Sequence, residues 1–208
     1  GLKNLSHRHR ALLVFDETIT GFRFANGGAQ ELYGVTPDLA TFGKGLANGY
    51  PVSAVAGRRD VMKLMEEIFF SFTFGGEALS LAAAKATLQK LRREPVVQTL
   101  RARGQTILEG ATRIIRESGL DDVFAVSGDP TWSFLNIRDA RGATSFEIKT
   151  LWMQEILQRG ILSVGTHNIS YAHTEADVRQ LLAVYAEVLP MIGRALDAGT
   201  LRQSLRCD

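Results

Sequence analysis

Lys44 lies in the stretch PDLATFGKGLANGYPVSAVAG, Pro37 to Gly57, flanked by Gly43 and Gly45, followed by Gly49 and given no acidic neighbour. A surface lysine ordinarily sits among polar residues on a solvated face. This amine sits between a short apolar run and a loop whose missing side chains permit close backbone approach. An amine attacks a carbonyl only when deprotonated, and burial near other positive charge lowers a lysine's pKa. Asp16 closes another apolar run, ALLVF, while Thr73 with Gly75 and Gly76 stands just before a helical segment.

In open α/β sheets ligands collect outside the carboxyl ends of strands, where Asp16 and Lys44 could face one crevice. A helix N-terminus preceded by a hydroxyl and glycines is a ready phosphate site. A carboxylate, an amine and a phosphate cradle together meet the requirements of pyridoxal phosphate (PLP). In that reading Asp16 keeps the pyridine nitrogen protonated, so that the ring acts as an electron sink, and Lys44 forms a Schiff base with the aldehyde. Once a substrate amine displaces it, Lys44 can move a proton between the substrate carbon and the cofactor carbon. Each residue also has an ordinary reading. An aspartate at a strand end is often merely solvated, a glycine-flanked lysine is often a loop residue, and a threonine before a helix is usually an N-cap.

These groups need elements to hold them. ALLVF is apolar throughout, as a strand buried on both faces of a parallel sheet would be. LATFG (Leu39 to Gly43) and SAVAG (Ser53 to Gly57) repeat the pattern. RDVMKLMEEI spaces Val61, Leu64, Met65 and Ile68 for one helix face, and EALSLAAAKATLQKLRRE is rich in helix formers until Pro95 stops it. Strands alternating with helices predict an α/β layer with a mostly parallel sheet. Beyond Pro95 come a long amphipathic segment, Val96 to Ser118, and two strands, VFAVSG and TWSFLNIRD, joined through Gly128, Asp129 and Pro130. A helix closed by Gly160, the apolar piece ILSVG and a final helix opened by the capping-box-like TEAD, Thr174 to Asp177, complete a smaller α+β domain. The boundary is expected between residues 97 and 98. GLKNLSHRHR reads as the tail of a helix feeding a central strand, and predicts that the chain is the C-terminal part of a longer protein.

Bulk properties narrow the function. The 208 residues carry a formal net charge of +2, 45% hydrophobic and 22% charged residues, an ordinary globular profile. No run of like charge suggests a nucleic-acid arm or a polybasic membrane patch. Cys207 is the only cysteine, so no internal disulfide or thiolate metal cage can form, which fits a cytoplasmic setting. No apolar stretch approaches the roughly 20 residues of a membrane helix. GKGLANG lacks the spacing of a dinucleotide loop, and no P-loop occurs. His7 and His9 read as solvated, and His167 and His173 lack ligands at metal spacing. His167 and Asn168 read as a polar turn, Arg23 as an ion-pair partner, and Phe69, Phe70, Phe72 and Phe74 as packing or dimer-interface residues.

The stretch LLVFDETITGFRFANGGAQELYGVTPDLATFGKGLANGYPVSAVAGRRDVM, followed by FTFGGEALSLAAA, resembles the core of the class III (fold type I) PLP-dependent aminotransferases. It is most similar to the glutamate-1-semialdehyde aminomutase branch through GFR, GGAQ, YGVTPDL and AHTE. The resemblance implies a three-layer large domain, incomplete at its N-terminus, over 1–97 and a small C-terminal α+β domain over 98–208. It places the pyridine-nitrogen partner at Asp16, the Schiff-base lysine at Lys44 and the phosphate-binding threonine, which reaches the neighbouring subunit's cofactor in a homodimer, at Thr73. Its substrates would be a small-molecule amino donor and a carbonyl acceptor, and by position in the family His167 and Asn168 would border their pocket; Arg23 has the chemistry to anchor a substrate carboxylate. Ile19 stands where many members carry a glutamine, as in the aminomutase branch, and GTHNISYAHT lacks that branch's glutamate. The first half of the family's sequence, with its phosphate loop and ring-stacking aromatic residue, has no counterpart here. Transamination is therefore the main expectation, with an intramolecular 1,2-amino shift or a non-catalytic dimerisation fragment as alternatives.

Overall fold

The computed structural model describes residues 1–206; Cys207 lies outside them. The chain divides into two compact units, the first Gly1–Val97 and the second beginning at Gln98.

In the first unit the order is α1 (Leu2–Arg8), β1 (Val14–Asp16), α2 (Ala29–Leu32), β2 (Leu39–Phe42), β3 (Ala54–Gly57), α3 (Arg59–Met62) and α4 (Ala78–Arg93). The strands form one sheet in the order β1-β2-β3. β1 runs parallel to β2 with Asp16 opposite Thr41, and β2 runs antiparallel to β3 with Leu39 opposite Gly57. The sheet is thus half parallel rather than mostly so. The expectation that ALLVF is buried on both faces also fails: Val14 is 52% exposed and Asp16 is exposed. β1 pairs only with β2 and is an edge strand of this unit.

A buried carboxylate ties the start of this sheet together. Asp38 accepts from the backbone N–H of Leu13 at 2.7 Å, from Arg58 Nη1 at 2.9 Å, and meets His7 Nε2 at 2.8 Å. The Leu13 N–H first, then His7 and Arg58, hold the Asp38 carboxyl well below the usual carboxylate range. His7 is therefore a partner of Asp38, not a free solvated histidine. RDVMKLMEEI likewise departs from one continuous helix. It breaks into α3 and a 3₁₀ turn at Lys63–Glu66, with Leu64 and Ile68 exposed. Short helices persist mainly by burying an apolar face, and this one lacks a face to bury. α4 ends at Arg93, with Glu94 extended ahead of Pro95.

The second unit contains α5 (Val96–Glu117), β4 (Phe124–Asp129), β5 (Trp132–Ile137), α6 (Ser145–Gln158), β6 (Thr166–Asn168) and α7 (Glu175–Asp197). β4, β5 and β6 form an antiparallel sheet, with Asp129 opposite Trp132 across the hairpin. Trp152 and Ile148 of α6 and Tyr185, Val188 and Ile192 of α7 are fully buried against Leu120, Val123 and Phe124. Thr174 and Asp177 form the capping box of α7, and Thr144 with Glu147 form that of α6, satisfying backbone N–H groups that each helix would otherwise leave unpaired. Gly160 follows α6 at φ 78, the left-handed conformation that glycine adopts without penalty. Among the described residues no helix is long and apolar enough to cross a membrane, and no group of His, Cys, Asp and Glu could hold a metal ion.

Candidate active site

Asp16 and Lys44 follow adjacent, parallel strands. Asp16 is the last residue of β1, and Lys44 stands just past the end of β2, where a 3₁₀ turn begins (Lys44–Leu46). The carboxyl ends of the two strands therefore bring the two groups to one end of the sheet, where an α/β fold collects ligands. Leu46 and Ala47 anchor the turn by packing with Ala84 of α4, together with Phe22 and Phe42. Lys44 itself adopts φ 39, a left-handed backbone rarely taken by a residue with a side chain. Such conformations persist where the surroundings over-determine them, and they cluster at functional sites.

Asp16 is held ionised. Its Oδ1 accepts from the Thr18 N–H at 2.9 Å and from the Thr41 hydroxyl at 3.1 Å. Thr18, then Thr41, keep its pKa below the ordinary aspartate value, and the charge of Lys44 adds to the effect. Both bonds fall on Oδ1, so Oδ2 carries neither. Lys44 is exposed in this chain, contrary to the burial expected of it.

Thr73 occupies an exposed turn before α4, and among the described residues no hydrogen bond joins it to Asp16 or Lys44. The helix N-terminus expected to receive a phosphate is already occupied: the Glu77 carboxylate accepts from the N–H groups of Leu79 at 2.8 Å and Ser80 at 2.6 Å. Glu77, not Thr73, is the N-cap, because it directly precedes Ala78, the first residue of α4, while Thr73 stands further upstream. The aromatic run beside Thr73 is open too, with Phe69 at 96% exposure and Phe70, Phe72 and Phe74 each above half. Phe70 and Phe72 meet edge to face, their ring centroids 5.1 Å apart.

Sequence reasoning missed Thr18, Thr41 and Glu17 around Asp16, and misread His167. The signal for Thr41 was present, since a parallel register of the two apolar runs sets it beside Asp16. His167 is not in a turn but on β6, 5% exposed, with Nδ1 2.9 Å from Ser133 Oγ and Nε2 2.8 Å from Tyr185 Oη. Burial pushes its pKa down to about 4. Strand pairing opposite Ser133 carries it inward, a consequence of register that the local sequence does not display. His167, Asn168 and His173 line a cavity of about 630 Å³ in the second unit, together with Ile161, Leu162 and Gln180.

The residues at the sheet end fit pyridoxal phosphate by two observations. The donor set pairs a carboxylate whose pKa is held below the ordinary aspartate value with an exposed primary amine. Gly45 also leaves room that the chain does not use. Gly43 is extended, at φ −164, and a Cβ there would meet only ordinary contacts of 3.4 and 4.0 Å; at Gly45 the nearest atom would be 3.8 Å away. Gly43 is buried, whereas Gly45 is exposed, and the space it leaves beside Lys44 is open to a ligand.

The sequence profile of the family described as aminotransferase class-III matches residues 1–168. A 3-aminobutyryl-CoA aminotransferase from Cloacimonas acidaminovorans is 29% identical over 94% of this chain and 47% of its own length. A glutamate-1-semialdehyde 2,1-aminomutase from Nitratidesulfovibrio vulgaris is 35% identical over 88% of this chain and 46% of its own. Among solved structures, the FumI protein of Sphingopyxis sp. MTA144, in a PLP internal aldimine form, superposes with a TM-score of 0.84 at 29% identity over 94% of this chain and 47% of its own. A β-phenylalanine aminotransferase from Variovorax paradoxus superposes with a TM-score of 0.80 at 26% identity over 93% and 47%. The chain thus spans about half the length of the relatives it matches.

Proposed function

This chain belongs to the class-III aminotransferase family, and from that premise we propose that the protein it represents is a PLP-dependent transaminase moving an amino group between a small-molecule amino donor and a carbonyl acceptor. The observation that carries the reading is the convergence of Asp16 and Lys44 at the ends of parallel β1 and β2, with Asp16 held ionised. When bound, pyridoxal phosphate supplies a ring that accepts the electron pair released at a substrate carbon. Asp16 would hold the ring nitrogen in its protonated form, because an ionised carboxylate stabilises a cation beside it. Lys44 Nζ would bind the aldehyde carbon, give way to the substrate amine, and then carry a proton from one carbon to the other. The strained backbone of Lys44 and the space at Gly45 suit an amine that must work close to a flat ring.

A 1,2-aminomutase is the second reading, favoured by the 35% identity to the glutamate-1-semialdehyde enzyme. Both reactions need the same pair of residues. We assign Thr73 to a phosphate group, bound from across a homodimer, because it lies in an exposed aromatic segment suited to an interface. A cytoplasmic location is in keeping with a single cysteine and with no membrane-crossing helix among the described residues.

The test is direct. The chain is mixed with PLP, treated with borohydride and digested, and the modified lysine is mapped. Capture at Lys44 supports the assignment, and capture at another lysine in its place overturns it.

A further inference from the structure

Glu17 follows Asp16 in sequence, yet its side chain is 1% exposed and it serves neither the sheet nor the chemistry described above. Its carboxylate accepts from the Thr20 hydroxyl and from the N–H groups of Ala29 at 2.9 Å and Gln30 at 2.8 Å. Its backbone is equally committed: Glu17 N–H donates to the Thr41 carbonyl at 2.9 Å, and its carbonyl accepts from Gly21 N–H at 2.8 Å. The surroundings are shaped to this group. A Cβ at Gly28, where φ is +83, would fall 2.4 Å from Glu17 Oε2, and one at Gly21 would meet the Glu17 carbonyl at 2.7 Å and the Phe42 ring at 2.8 Å.

Each of these bonds shapes the turn that leaves Asp16. The Thr20 and Gly21 bonds curl residues 17–21 back on themselves, and the Ala29 and Gln30 bonds close the loop that follows. Within the curl sits Thr18, whose N–H meets Asp16 Oδ1, while the Thr41 bond keeps in register the strand whose hydroxyl meets the same oxygen. Only a carboxylate serves the whole set. A glutamine amide of the same shape has one acceptor oxygen and would turn an N–H toward a backbone N–H.

We propose that Glu17 is a positioning residue for Asp16, its buried carboxylate closing the loop that aims Thr18 at Asp16 Oδ1. The functional meaning of this inference rests on Asp16 serving the ring nitrogen, but its geometry does not, and the test separates the two. Glu17→Gln and Thr20→Val are made in the chain, the Asp16 carboxyl is titrated by carbon-13 NMR, and the unfolding midpoint is measured alongside. The Asp16 titration is expected to rise toward the ordinary value of about 3.9 in Glu17→Gln, and by less in Thr20→Val. A folded Glu17→Gln with a lowered unfolding midpoint but an unchanged Asp16 titration would make Glu17 merely structural and overturn the proposal. Should Glu17→Gln not fold, Thr20→Val, which keeps the buried carboxylate and both of its backbone partners, decides on the same criterion. PLP affinity of the wild-type chain and the variant is read in parallel, with about a tenfold weakening expected. Where the wild-type chain, which spans about half the length of its relatives, binds no PLP, the titration alone decides the role of Glu17.

Discussion

The two units hold themselves together by different means. The second buries Trp152, Tyr185, Phe124 and a set of aliphatic side chains in one continuous core, while the first has a small apolar cluster around Leu46, Ala47 and Ala84. In the first unit, order comes instead from buried carboxylates: Glu17 closes the loop after Asp16, and Asp38 joins α1 to the residue before β1 and the residue after β3. Apolar burial is strong and non-directional, so it suits a unit that has only to be stable. Hydrogen bonds to charged groups are directional, so they suit a unit that has to place an aspartate and a lysine at one sheet end. The contrast carries a cost. Val14, Phe69, Phe70, Phe72 and Phe74 remain open to solvent in the unit that carries the candidate chemistry.

Substitutions can break this contrast. Lys44→Ala should abolish covalent capture of PLP after borohydride while leaving the unfolding midpoint unchanged, because Lys44 is exposed; capture that persists would remove Lys44 from the site. Trp152→Ala should do the reverse, destabilising the second unit by about 3–5 kcal/mol in a denaturant titration with no effect on the Asp16 environment. A change in stability below about 1 kcal/mol would mean that the second core is not as tightly packed as its burial implies.

Acid should sharpen the same comparison. His167 is neutral and buried, with its folded pKa pushed down to about 4 from an ordinary value of 6.5. The unfolded state therefore binds the proton more readily. Stability from the neutral ring is full above pH 6.5 and is lost as the pH falls toward 4, by about 3 kcal/mol over that window. His167→Gln should flatten this slope, and an identical pH profile in the variant would argue that the ring is already accessible to water. The smallest effect belongs to Thr73→Ala. It is expected to weaken PLP binding by about tenfold without moving the unfolding midpoint, because Thr73 is exposed and does not cap α4. Mixed dimers of Lys44 and Thr73 variants should regain activity if the site is shared between subunits.

Much of this was legible in residues met one at a time. LATFG and SAVAG form strands, the segment before Pro95 is a helix, and TEAD caps α7, because propensity, proline and capping chemistry act within a few residues. What could not be read was pairing at a distance. Asp38 meets His7 from 31 residues away, and Ser133 and Tyr185 close around His167, contacts that no short spacing displays. Glu77 folds back onto the α4 N-terminus.

Sequence alone determined the cast of the candidate site: an aspartate closing one apolar run, a glycine-flanked lysine closing the next, and the family motifs around both. These follow from residue types and short spacings, which the linear chain carries in full. Tertiary structure alone decided that Thr18 and Thr41 would lower the pKa of Asp16, that Glu17 would be buried, and that Glu77 would cap α4. Those outcomes depend on strand register and on which polar groups lose their water, and both arise only when distant segments meet.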